Sequence, residues 1–115
     1  MKPEHKELYE ALEHAKTDSD RLKALLDFAL VFSDESFVEG WKFSNEALIL
    51  ATKMHDSESR AKAFEGMANA SWKLAEYSMS LEYFAEALEI YRNQNNPYGV
   101  ARCFCGMGII CGSLD

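Results

Sequence analysis

The chain repeats itself. Displaced by 40 residues, Ala61, Phe64, Gly66, Met67 and Leu74 fall on Ala101, Phe104, Gly106, Met107 and Leu114. Five identities in a window of fifteen are not expected of unrelated segments. The same displacement lays Glu46-Ala47-Leu48 on Glu86-Ala87-Leu88 and Phe37 on Tyr77. The segment 20–32 matches its later counterpart better at 39, so the first unit is one residue shorter than the second. A period of this length marks an array of supersecondary units. None of them buries its apolar face alone, and each covers its neighbour's.

The unit reads as a helical hairpin. Between Ser59 and Arg92, large residues (Phe64, Met67, Tyr77, Phe84, Leu88) alternate with very small ones (Ala63, Ala68, Ser80, Ala87). Small beside large at helical spacing lets two helices approach and interlock. Only two prolines and six glycines interrupt a sequence rich in Ala, Leu, Glu and Lys, and no strand alternation occurs. Six helices are predicted, over about 4–15, 20–32, 37–54, 57–75, 79–92 and 98–111. The first is a leading helix (1–16). The others make one repeat at 20–55, a second at 58–95, and the first helix of an incomplete third at 97–115, all within one domain of 115 residues. Thr17 to Asp20 and either Ser57 or Ser59 are expected N-caps, Ser33 to Ser36 is expected to be a turn and the next cap, and the turn of the second hairpin is expected near Glu76-Tyr77-Ser78. Inward positions are Leu22, Leu25, Phe28, Ala29 and Phe32 in the second helix. In the third they are Trp41, Ala47, Leu48 and Ala51.

On these residues the chain resembles the tetratricopeptide repeat family, in a long variety with a repeat of about 40 residues. The second unit matches the family pattern through Phe64, Met67-Ala68, Ser71, Ser80, Phe84 and Ala87. The third begins with Phe104, Met107-Gly108 and Cys111, and the first is more divergent. Ser71 stands where an aromatic is usual, and Arg92 where proline is frequent. The resemblance implies an all-α fold, a right-handed superhelix of antiparallel helical hairpins. It also implies that the first helix of each hairpin lines a concave face.

That face would present Lys23, Leu26 and Leu30 from the first hairpin. The second would contribute Lys62, Glu65, Asn69, Trp72 and Lys73, and the third Arg102, Cys105 and Ile109. Lys23, Lys62 and Arg102 would form a basic column suited to an acidic peptide or a carboxylate. Trp72 is the leading contact candidate, because tryptophan is enriched in binding hot spots. The carboxylate clamp of chaperone-binding relatives is not expected. Only Asn69 sits where that clamp has an asparagine, and Leu26 and Glu65 occupy places meant for cations or compatible polar groups.

Several function classes find no support. The formal net charge of −7 argues against nucleic acid and anionic membranes. The N-terminal segment has no apolar core of the kind a signal peptide needs. The apolar run 24–32 is interrupted by Asp27 and too short to span a bilayer, so a cytoplasmic location is expected. Cys103, Cys105 and Cys111 are an odd cluster rather than a disulfide framework, and on a helix the first two point about 200° apart. His5, His14 and His55 lack metal-ligand spacing, and no phosphate loop or nucleophile–base pair occurs. No cofactor and no catalysis are expected.

Two functional readings follow. One is a non-catalytic interaction module that binds a peptide or partner protein, or another copy of itself. The other is a regulatory segment at the front of a larger signalling enzyme, such as a nucleotide cyclase or histidine kinase, or of a transcription regulator. Gly112 to Asp115 align with Trp72 to Ala75, half-way through a unit. The sixth helix is therefore expected to leave Phe104, Met107, Ile110 and Cys111 uncovered, as the contact of a homodimer or of a longer array.

Overall fold

The computed structural model describes the backbone of residues 3–32 and 36–114 and the side chains of residues 6–29 and 36–112. Among the described residues six helices follow in order: α1 Pro3–Glu13, α2 Asp18–Phe32, α3 Phe37–Lys53, α4 Ser57–Lys73, α5 Tyr77–Asn93 and α6 Pro97–Leu114. The described residues contain no strand. The side chains of Leu30, Phe32 and His5, and residues 33–35 of the expected turn, lie outside the described residues.

From α3 onward the helices start every 20 residues, at 37, 57, 77 and 97. One turn geometry sets this cadence. His55, Ala75 and Asn95 each take a left-handed backbone, with φ of 56°, 63° and 54°. The next amide then donates back into the finished helix, from Asp56, Glu76 and Asn96 to the carbonyls of Ala51, Ser71 and Tyr91 at 2.8–2.9 Å. This satisfies carbonyls that a helix end leaves orphaned. Two turn assignments are corrected by it. The N-cap of α4 is Asp56, not Ser57 or Ser59: its carboxylate accepts from the Ser59 amide at 3.1 Å and from the Ser59 hydroxyl at 2.8 Å. The second hairpin turns at 74–76, so Tyr77 is already helical. Within the other two expected stretches the capping oxygens are those of Thr17 and Ser36, which accept from the amides of Asp20 and Glu39.

Each helix packs on the next in sequence. In addition α2 touches α4 and α4 touches α6, whereas α3 and α5 do not meet. The layer of α2, α4 and α6 is therefore the tighter, inner one of a curved stack of hairpins, with overall extents of 44 × 32 × 20 Å. Alanine explains how α4 sits in the middle. Ala61 and Ala68 enter a core with Phe84, Leu88, Tyr91, Cys103 and Ile110, while Ala63 enters a second core with Leu22, Leu25, Ala47 and Ala51. Only a helix with minimal side chains on opposite faces can be buried between four neighbours at close range.

Phe28 is fully buried and sandwiched. The ring of Tyr9 from α1 lies 4.6 Å away and that of Phe43 from α3 4.5 Å. Its burial contributes about 2–3 kcal/mol and fixes the leading helix on the end of the stack. Trp41, Leu48 and Ala29 are half-buried rather than core, and Ala24 joins the core instead.

Candidate functional site

The inner layer carries a groove of about 650 Å³. One wall is α2, through Ser19, Leu22, Lys23, Leu26 and Asp27. The other is α4, through Ser59, Lys62, Glu65, Gly66 and Asn69, and Met54, Asp56 and Arg102 of α6 also line it. The register explains the grouping. Lys23, Lys62 and Arg102 occupy one position in three successive inner helices, at separations of 39 and 40. A shallower hollow of about 480 Å³ continues past Glu65, Asn69 and Arg102 along α6.

The structure brings together Lys23, Lys62, Glu65, Asn69 and Arg102. It does not bring Trp72 or Lys73 to the groove, because both lie in the last turn of α4, beyond its end. Trp72 is half-buried against the core beneath α5, and the Lys73 ammonium stands 5.3 Å from the Phe37 ring centroid.

The basic column is also corrected. Three cations line the groove, but so do three carboxylates, Asp27, Asp56 and Glu65. Arg102 Nε donates to Glu65 Oε2 at 3.0 Å, and Lys62 lies 3.3 Å from Glu58 one turn away. The groove is thus a charge-balanced cleft with an apolar floor of Leu22, Leu26 and Met54, rather than a cationic trough.

At its α6 end stands a three-helix cluster. Tyr91 of α5, 1% exposed, donates its hydroxyl to Glu65 Oε1 at 2.8 Å, and Arg102 Nη2 reaches the same oxygen at 3.3 Å and the Tyr91 oxygen at 3.4 Å. The guanidinium also lies 5.5 Å from the centroid of the Tyr91 ring. Burial raises the Tyr91 phenol well above its ordinary value, and the Glu65 carboxylate raises it further. Arg102 is pushed up chiefly by its bond to Glu65, with desolvation opposing. Burial first, then Glu65, pushes the Cys103 thiol up to about 11. All three groups are held in their protonated forms, the reverse of what an activated nucleophile or base requires.

Sequence reasoning missed Tyr91 and Asp27. Tyr91 did carry a signal, since it replaces the small Ala51 of the first unit just as Glu65 replaces Leu26.

On α6 the expected open surface is only partly right. Ile110 is fully buried and Met107 packs on the core, because both lie on the side turned to α5. Phe104, 50% exposed with the Arg92 guanidinium 5.5 Å from its centroid, and Cys111 are open.

Among the described residues, no group of His, Cys, Asp and Glu could hold a metal ion, and no helix is long and apolar enough to cross a membrane. The fold and groove define an all-α stack of helical hairpins with a cleft on its inner layer. Comparison with protein-family models, curated proteins and solved structures gave no match.

Proposed function

We propose that this chain is a non-catalytic interaction module of the tetratricopeptide-like kind, which binds an extended segment of a partner protein in the groove between α2 and α4. The observation that carries the reading is the make-up of that groove. An apolar floor is bordered by the exposed side chains of Lys23, Lys62 and Asn69, in a volume of about 650 Å³. Clefts of this size, apolar with a few placed polar groups, are where ligands gain burial and orientation together. Asn69 offers an amide that can both donate to and accept from a peptide backbone. Lys23 and Asp27, one turn apart on α2, offer one charge of each sign, which favours a segment of mixed charge over a purely acidic one.

Selection from a random phage-displayed peptide library against the full chain tests this. Enriched peptides are expected to lose binding to the Lys23→Glu and Asn69→Ala variants, by about tenfold or more for a well-seated contact. They should keep binding Trp72→Ala, whose side chain lies outside the groove. Failure to enrich any sequence, or enriched peptides indifferent to the groove variants, would overturn the reading.

A further inference from the structure

Six charged side chains line the groove between α2 and α4, and four of them are already engaged. Arg102 is held by Glu65, and Glu65 also accepts from the Tyr91 hydroxyl. Asp56 caps α4 through the Ser59 amide and hydroxyl, and Lys62 lies beside Glu58. Lys23 and Asp27 are left. Neither has a partner among the described residues, and although they stand four apart on one helix they do not pair with each other. Lys23 is exposed and stays hydrated. Asp27 is half-buried, so its carboxylate gives up part of its hydration with nothing in return.

The register adds an order to these two charges. Displaced by 39, Lys23 falls on Lys62 and Asp27 on Gly66. As first helices of successive antiparallel hairpins, α2 and α4 run the same way. The two lysines therefore share one level of the groove. Asp27 lies one helical turn on, level with a residue that has no side chain to fill the space. The Lys62–Glu58 pair is solvent-exposed, and such a pair contributes little, so Lys62 can turn to another anion.

We propose that the segment received by this groove carries one acidic and one basic side chain two residues apart, the acid at the Lys23–Lys62 level and the base on Asp27. This rests on the groove reading above and gives it a ligand chemistry. Four residues of helix rise about 6 Å. Two residues of extended chain advance about 6.6–6.8 Å and return the side chain to the same face, so the two spacings match. A purely acidic segment would set an anion on Asp27, and a purely basic one a cation on Lys23. Each like-charge contact excludes it.

Panning one random phage-displayed peptide library in parallel on the full chain and on a charge-swapped variant, Lys23→Asp with Asp27→Lys, tests the order. Peptides enriched on the native chain should share an acid and a base two residues apart in one order, and those enriched on the swap the reverse order. Each set should bind the other protein at least about tenfold more weakly. Asp27→Asn should keep the selection for the acid and lose that for the base. It carries the test alone if far-UV circular dichroism shows the swap unfolded. Peptides that depend on Asn69 yet carry no such pair, keep one order on both proteins, or keep the base on Asp27→Asn would overturn the charge order and leave the groove reading standing. Failure to enrich any peptide would overturn both.

Discussion

The two seams between successive hairpins occupy the same positions in the repeat and are built oppositely. At the α3–α4 seam the matched positions are Ser44, Ala51, Ser59 and Gly66. At the α5–α6 seam, 40 residues later, they are Phe84, Tyr91, Gly99 and Gly106. In the first seam small meets small, with Gly66 against the Ser44 hydroxyl. In the second, two aromatic rings lie on two glycines. The same backbone arrangement is thus filled by two different divisions of volume, and the consequences differ. The second seam gains two buried rings, worth about 2–3 kcal/mol each, and the Tyr91–Glu65–Arg102 cluster across three helices. The first gains close helix approach but leaves Ser44 Oγ buried without a partner. The groove is lined beside the first seam by Met54, Asp56 and Ser59, and Arg102, next to the second, lines it too.

The largest test of this contrast is a pair of truncations at one repeat position. Phe84→Ala should cost about 3–5 kcal/mol in urea unfolding, as removal of a buried ring does. Ser44→Ala should stay within about 1 kcal/mol of wild type and on the stabilising side, since it removes an unpartnered hydroxyl. Equal costs would erase the distinction.

Alkaline pH separates the seams without mutation. Cys103 and Tyr91 both belong to the second and both are raised in the folded state. Groups raised in this way stabilise fully below their ordinary values and lose that contribution as pH climbs towards the folded ones. The melting temperature should therefore hold level from neutrality to about pH 8.5 and fall above pH 9, as Cys103 approaches about 11 and Tyr91 passes its ordinary 10. Glu65 and Arg102 face both groups, and Tyr91→Phe should make the decline above pH 10 shallower.

The smallest effect lies between the seams. Ala75 sits at φ 63° in the turn joining α4 to α5, where a side chain with a Cβ is strained. Ala75→Gly should stabilise by about 0.5–1 kcal/mol, whereas Asn95→Gly should change little, because asparagine tolerates this conformation. Calorimetric melting of both variants measures the difference.

Most of the fold was legible because the 40-residue register is written in small residues, Ala61, Gly66, Ala68 and their successors, that only close helix packing explains. Cap positions were less so. Asp56 and Ser59 are both good caps in sequence, and the left-handed His55 decides between them. Of the groove, the register located Lys23, Lys62, Asn69 and Arg102. It did not reveal that Glu65, Tyr91 and Arg102, separated by 26 and 37 residues from Glu65, would bind one another and cancel the basic column. That pairing depends on side-chain reach across three helices, which no periodicity encodes. Trp72 misled for a similar reason: it is absent from the groove lining, and its ring packs on the core shared with α5.

The central claim is that the inner groove beside the first seam receives a partner while the second seam is structural. Amide chemical-shift mapping by two-dimensional NMR, with a selected peptide added to the full chain, tests it most directly. The account predicts shifts concentrated at Lys23, Leu26, Lys62 and Asn69, with the outer surfaces of α3 and α5 unmoved. Shifts gathered instead on those outer surfaces, with the α2 and α4 amides unchanged, would contradict it.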